Sequence, residues 1–336
     1  MIGGVERILL GLVLALSSAS PAKAAADLAA AKAEGKVVWY TSTPIEAAQK
    51  LVNMFRSKTG VAVELFRSGG SAVMQRFQLE FDAKKIFADV LTTSDPAEST
   101  ALAAKGVFVA FKPENFDKLP ESAKDPNGMF VGQRLNMITI YYRNDKIAEA
   151  DAPKMMKDLL DPKYKGKLVM ADPSFTSLQL AVVGMTAKNL GWDYYEGLRK
   201  NDIIIMQGGQ QTVDMVKRGE RLIAAGASDS YAADAKLEGR PFTTVYPPDG
   251  TFLIPSPSAV VANAPHPNAA KVFAEFLISA DAQKIFPEVG GYSSRLDIPA
   301  PAGSPPLADI KLLPVDYDYI QKNAPAIKKK FNEIFQ

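Results

Sequence analysis

The chain has 336 residues, with 39 Lys+Arg against 37 Asp+Glu, one histidine and no cysteine. Lack of cysteine excludes disulfides, thiolate metal sites, cysteine nucleophiles and a lipid-modified N-terminal cysteine, and a single histidine removes most nucleophile–base pairs. A formal net charge of +2 gives no electrostatic reason to expect nucleic acid, which favours a clustered basic surface.

Residues 1–24 read as a secretory signal peptide. The run 8–16 is apolar and free of charge, too short for a span of about 20 residues, and Ala22-Lys23-Ala24 is a small-residue cleavage pattern. Cleavage there leaves 336 − 24 = 312 residues, enough for about two domains. No other segment is long and apolar enough to cross a bilayer. Residues 29–36 form the first helix. The apolar, β-branched stretch 37–41 predicts a buried strand, followed by a Ser42-Thr43-Pro44 turn and a helix over 45–58 that Gly60 stops. A strand over 61–66, a loop over 67–71, a helix over 72–84, a strand over 88–92 and a Thr93-Ser94-Asp95-Pro96 turn before another helix repeat the pattern. Strand, polar loop and helix in succession predict a parallel α/β sheet.

A Pro-rich, polar stretch over 112–127 interrupts this order, and strand material over 130–143 ends at the Asn144-Asp145 turn. A second α/β set follows: strands at 168–171, 203–206 and 222–225, with helices from Ser177 and over 212–218. The chain returns through 243–253, which carries Pro247 and Pro248, to a strand at 259–262. Two α/β lobes joined by crossings near 133–142 and 244–253 are expected. Toward the end, Asn268 is a candidate N-cap for an amphipathic helix, and Ser279 for a second helix through Phe286. The run Lys328-Lys329-Lys330 reads as a solvated helix face.

Open α/β sheets bind ligands beyond the carboxyl ends of their strands. Four loops there share hydroxyl-rich composition and each precedes a helix: Ser42-Thr43, Ser68-Gly69-Gly70-Ser71, Thr93-Ser94 and Thr176-Ser177. They offer hydroxyls and free backbone N–H groups at positive helix ends, which suits a carboxylate, phosphate, phosphonate or sulfate. The same residues are ordinary N-caps elsewhere, so the loops count as a set. Ser228–Tyr231 adds a further candidate contact, with Asp229 available for an amine or a sugar hydroxyl. Tyr194-Tyr195, in LGWDYYEGL, reads as core, and His266 between two prolines as a surface turn residue. Gly69-Gly70 and Gly208-Gly209 lack the spacing of a P-loop or dinucleotide fingerprint, so no catalytic constellation stands out and the chain reads as a non-enzyme.

Five segments in fixed order carry a family resemblance: IYYRNDKI at 140–147, DLLDPKYKGKLVMADP at 158–173, GGQQTVDMVKRGE at 208–220, PHPNAAKVFAEFLISADAQKIF at 265–286 and GGYSSR at 290–295. Together they resemble the extracellular solute-binding proteins that feed ABC importers, over residues 35–296. Ferric-iron-binding and phosphonate- or sugar-phosphate-binding receptors are among the proteins the chain resembles. The resemblance implies a two-lobed periplasmic-binding fold (α/β, type II-like) with two interlobe crossings. Lobe 1 would comprise residues 25–138 and 250–336, with the C-terminal helices able to pack on lobe 2, and lobe 2 residues 139–249. It also implies a monomer in the periplasm that holds a small molecule or ion, closes about a hinge and docks on a membrane permease. No cofactor is implied. Iron-binding relatives place two adjacent tyrosines after the strand that here ends at Ala225; the matching positions are Ser230 and Tyr231, so Tyr231 would be the metal contact if ferric iron is the cargo.

Overall fold

A computed structural model of the chain describes residues 26–336; the expected signal peptide lies outside the described residues. The first elements are α1 (Leu28–Glu34), β1 (Lys36–Thr41), α2 (Ile45–Thr59), β2 (Ala62–Arg67), α3 (Gly70–Asp82), β3 (Val90–Thr92) and α4 (Pro96–Ala104). β1 runs parallel to β2 and β3, with Lys36 opposite Ala62 and Trp39 opposite Val90. Gly60 closes α2 at φ 77°, a left-handed conformation that glycine adopts without a Cβ penalty. Beneath this sheet, Phe55 and Trp39 meet the Phe273 ring edge-on, at centroid distances of 4.9 and 5.2 Å.

Two long strands then carry the chain between halves. β4 (Val131–Arg143) pairs antiparallel with β9 (Thr251–Val260) through its first part, and with β7 (Ile223–Ser228) and β8 (Phe242–Val245) through its last. The far end of β9, Ser258–Val260, pairs with β3. Both strands are buried throughout apart from Arg143. β9 is continuous where separate pieces were expected, although it contains Pro255 and Pro257. Those prolines sit opposite a register shift between Gly132 and Leu135, the kind of irregularity that tolerates a missing N–H. A Cβ on Gly132 would lie 3.2 Å from that of Pro255, so the bare glycine allows the close approach.

The second half holds β5 (Leu168–Ala171), α5 (Ser177–Leu190), α6 (Asp193–Lys200), β6 (Ile204–Met206), α7 (Gly209–Arg218), β7, α8 (Asp229–Leu237) and β8. The full strand path is β2-β1-β3-β9-β4-β7-β5-β6. Tyr194 and Tyr195 are buried in this half's core, their rings edge-on at 5.2 Å. After β9 come α9 (Pro267–Leu277), α10 (Ala280–Glu288), β10 (Tyr292–Ser293), β11 (Leu312–Leu313) and α11 (Tyr317–Phe335). α9 and α10 contribute to the first half's core.

One expectation for this region is corrected. His266, not Asn268, occupies the N-cap of α9, and the Asn268 amide instead donates to Glu34 at 2.7 Å. His266 lies at the bend before α9, partly exposed, with its Nδ1 2.8 Å from Oδ2 of the fully buried Asp89. Ser279 does cap α10, accepting from the Ala282 N–H.

α11 seats Ile320, Ile327 and Phe331 in the core of the second half. The contact depends on Gly184 in α5, where an added Cβ would meet Ile320 and Ile327 at 2.5 and 2.8 Å. Gly184→Val is expected to cost about 1–3 kcal/mol by overpacking. A thermal midpoint equal to the parent's would show that α11 docks elsewhere in solution.

Candidate functional site

A cavity of about 350 Å³ opens between the halves, beyond the carboxyl ends of the parallel strands. The first half contributes Ser42 after β1, the turn Arg67–Gly70 between β2 and α3, and Ser94 after β3. The crossing strand β4 adds Arg134. Across the gap stand Thr176, Ser177 and Gln179 at the start of α5, the turn 207–211 leading into α7, and Ser228 and Tyr231 around the start of α8. The halves touch here: a Cβ on Gly70 would lie 2.7 Å from Ser177 Oγ.

Charge in the lining is one-sided. Among the described residues Arg67 and Arg134 are its ionised groups, and no Asp, Glu or His lines the cavity. Among the described residues neither guanidinium forms an ion pair with a carboxylate. Arg67 Nε donates to the Thr43 carbonyl at 3.1 Å. Arg134 donates to Asn136 Oδ1 and, at 3.3 Å, to Ser94 Oγ, while its Nε has no partner. Burial pushes the Arg134 guanidinium down to about 10, with the Arg67 charge adding to the effect and Tyr231 and Asp229 opposing it. An unpaired buried cation is costly, and an anion in the cavity would relieve it.

Helix ends add to this field. α3 and α7 begin at Gly69 and Gly208 without a side-chain cap, leaving first-turn N–H groups free for an anion, whereas at the start of α8 the Asp229 carboxylate takes the Ser230 N–H. Two neutral side-chain atoms of the lining are also buried without a partner among the described residues, Ser42 Oγ and Gln179 Nε2. Native proteins rarely leave such groups unsatisfied.

Of the residues expected from sequence, Ser42, Ser68, Gly69, Gly70, Ser94, Thr176, Ser177, Ser228 and Tyr231 line the cavity. Thr176 is also an ordinary cap, its hydroxyl accepting from the Gln179 N–H at 3.0 Å. Thr43, Ser71 and Thr93 are not among the lining residues. Thr43 is buried between Thr41 and Gln133, bonded to them at 2.8 and 2.9 Å, and the Thr93 hydroxyl turns to Met74 Sδ. Ser71 follows Gly70 in α3, one position past the turn that faces the cavity.

Asp229 is withdrawn as a ligand contact for the same reason. It is 1% exposed, accepts from the Met137 N–H at 3.3 Å and the Tyr246 hydroxyl at 3.4 Å, and so ties α8 to the crossing segments. Burial pushes its carboxyl up to about 7, against those hydrogen bonds. The folded value exceeds the unfolded one of about 3.9. Its contribution to stability is therefore full below about pH 4 and lost as pH rises through about 7. Asp229→Asn should flatten the decline of the thermal midpoint between pH 5 and 8; parallel pH profiles would refute the assignment.

The sequence reading missed Arg67, Arg134, Gln179 and the glutamine-rich turn at 207–211. Arg67 adjoined a selected loop and carried a usable signal. Arg134 sits inside a strand, where nothing in the local pattern separates a cleft-facing arginine from a solvated one.

The sequence profile described as bacterial extracellular solute-binding protein matches residues 50–314. A Salmonella typhimurium protein named "Putative 2-aminoethylphosphonate-binding periplasmic protein" is 26% identical, covering 79% of this chain and 77% of its own. Among solved structures, iron-bound HitA from Pseudomonas aeruginosa superposes with a TM-score of 0.77 at 21% identity, covering 90% of this chain and 99% of its own. AfuA from Actinobacillus pleuropneumoniae, with fructose-6-phosphate bound, gives 0.79 at 20% identity, covering 89% and 98%. Both share the two-lobed periplasmic-binding fold.

Proposed function

The chain belongs to the bacterial extracellular solute-binding protein family, and we propose that it is the periplasmic receptor of an ABC importer, capturing a small organic anion by hinge closure. The observation that carries this reading is the pair of guanidiniums without carboxylate partners, set among uncapped helix starts in the interlobe cavity. Organic phosphates, phosphonates and carboxylates fit that field. The moving bodies would be residues 25–138 with 250–336 and residues 139–249, except that α11 would travel with the second body, whose core it joins. β4 and β9 are the hinge. Ligand bridging both bodies favours the closed state, in which a monomer presents itself to a membrane permease. The activity is binding without turnover.

Ferric iron is the second reading, favoured by the Tyr231 phenol in the lining. Burial raises that phenol above its ordinary value, while Arg134 and Arg67 pull it down. A trivalent cation would face two guanidiniums, one phenol and no carboxylate, which argues against it.

Native mass spectrometry of the purified protein, followed by calorimetry after ligand removal by unfolding, tests both readings. A retained phosphate- or carboxylate-bearing ligand is expected. Rebinding at 100 times the dissociation constant should stabilise the protein by about 2.7 kcal/mol. A phenolate-to-iron absorption band on adding ferric citrate, with no anion binding alone, would overturn the anion reading.

A further inference from the structure

Resting on that reading, we infer that the ligand is a polyhydroxylated monophosphate, of the sugar- or polyol-phosphate class, and not an aminoalkylphosphonate. Two groups of lining atoms divide the labour. The guanidiniums of Arg67 and Arg134 and the free N–H groups opening α3 suit a phosphoryl head. That leaves Gln179 Nε2 on the opposite half, buried and unpartnered in a residue 3% exposed, beside the Ser177 hydroxyl, which faces the Asp95 carboxylate. The Gln179 amide can donate through Nε2 to a hydroxyl or an anionic oxygen of the ligand. With its proton directed to Asp95, the Ser177 oxygen is an acceptor for a ligand hydroxyl.

Volume and charge point the same way. A cavity of about 350 Å³ holds far more than an isolated tetrahedral anion and falls in the range for organic ligands. An ammonium in it would find no carboxylate among the lining residues, and would sit beside two guanidiniums. The acids beside the lining are engaged elsewhere: Asp95 caps α4 through the Glu98 N–H at 3.0 Å, Asp214 accepts from the Gln210 amide at 3.0 Å, and Asp229 accepts from Met137 and Tyr246. Those of an adjoining cavity of about 250 Å³ pair with lysines, Glu46 with Lys50 at 3.2 Å, and Asp234 and Glu238 with Lys217 at 3.9 and 2.8 Å. Desolvating an ammonium without a counter-charge is unfavourable. A site built to hydrogen-bond a hydroxyl, in turn, rejects analogues that lack one.

The test is calorimetry on the ligand-free protein with glucose 6-phosphate, glycerol 3-phosphate, 2-aminoethylphosphonate and inorganic phosphate. At least one of the two hydroxylated phosphates should bind tenfold or more tighter than both other probes. Gln179→Met should weaken that ligand about tenfold while changing inorganic phosphate binding less than twofold. An aminoalkylphosphonate that binds as tightly as the hydroxylated phosphates would overturn the inference and leave the anion receptor standing. Failure of all four probes, with ferric citrate bound instead, would remove the parent reading.

Discussion

Arg134→Met is expected to give a ligand-free protein of near-parental stability and a receptor that scarcely binds. The two effects share one cause. Arg134 is 8% exposed, its Nε is unpartnered, and its remaining bonds run to the neutral Asn136 and Ser94. Removing it spares the fold a desolvated charge. Ser94 Oγ keeps a partner, lying 2.8 Å from Ser256 Oγ, but the buried Asn136 Oδ1 loses its donor while Nδ2 stays on the Ile254 carbonyl at 2.7 Å, an opposing cost of about 1–3 kcal/mol. The gain and the cost offset, and a thermal midpoint close to the parent's is therefore expected without ligand. With a phosphate-bearing ligand that balance is lost. Truncating one partner of a buried, hydrogen-bonded charge pair costs about 2–5 kcal/mol, roughly 30- to 4,000-fold in affinity. Arg134→Lys should recover only part of this, because an ammonium cannot make the fork-shaped contact of a guanidinium. Calorimetry and thermal melts on the three proteins decide the matter. An Arg134→Met protein with parental affinity and a lowered midpoint would mean the guanidinium serves the hinge and not a ligand.

The strand–loop–helix order was readable because it depends on local signals. Gly60 ends α2, Ser279 caps α10 and apolar runs mark β1 and β5. Turn composition likewise found most of the residues that meet at the cavity, since a helix start that faces an anion needs small, hydroxyl-bearing neighbours. What it could not do was separate inward from outward within one loop. Gly70 faces the cavity while Ser71, the next residue, is not in its lining. Thr43 and Thr93 have the right chemistry and spend it on Gln133 and Met74. Arg134 and Gln179 acquire their meaning only when β4 and α5 are brought together from distant parts of the chain. β9 misled for a related reason: Pro255 and Pro257 break a strand in isolation, and only the shifted register of β4 accommodates them. Sequence patterns report which elements form; the ligand-facing atoms are chosen by how those elements meet.

That meeting can be blocked at one residue. Gly70 opens α3 on the first half, and a Cβ there would stand 2.7 Å from Ser177 Oγ of the second half and 3.9 Å from Ser42 Cβ. Its φ is not among the positive ones, so valine enters without backbone strain and the first half should fold as before. Gly70→Ala asks only that the Ser177 hydroxyl rotate, and a small loss is expected. Gly70→Val adds two methyl groups to an interlobe contact with no room for them. The overpacking cost of about 1–3 kcal/mol then falls on the closed state alone, because opening removes the clash. Such a bias weakens apparent affinity by roughly 5- to 150-fold while the ligand-free thermal midpoint stays near the parent's. In solution scattering the parent should contract when a saturating phosphate-bearing ligand is added; Gly70→Val should not contract at the same concentration. If the valine protein binds and contracts like the parent, the two halves do not approach at Gly70 and Ser177, and closure across this cavity is the wrong mechanism.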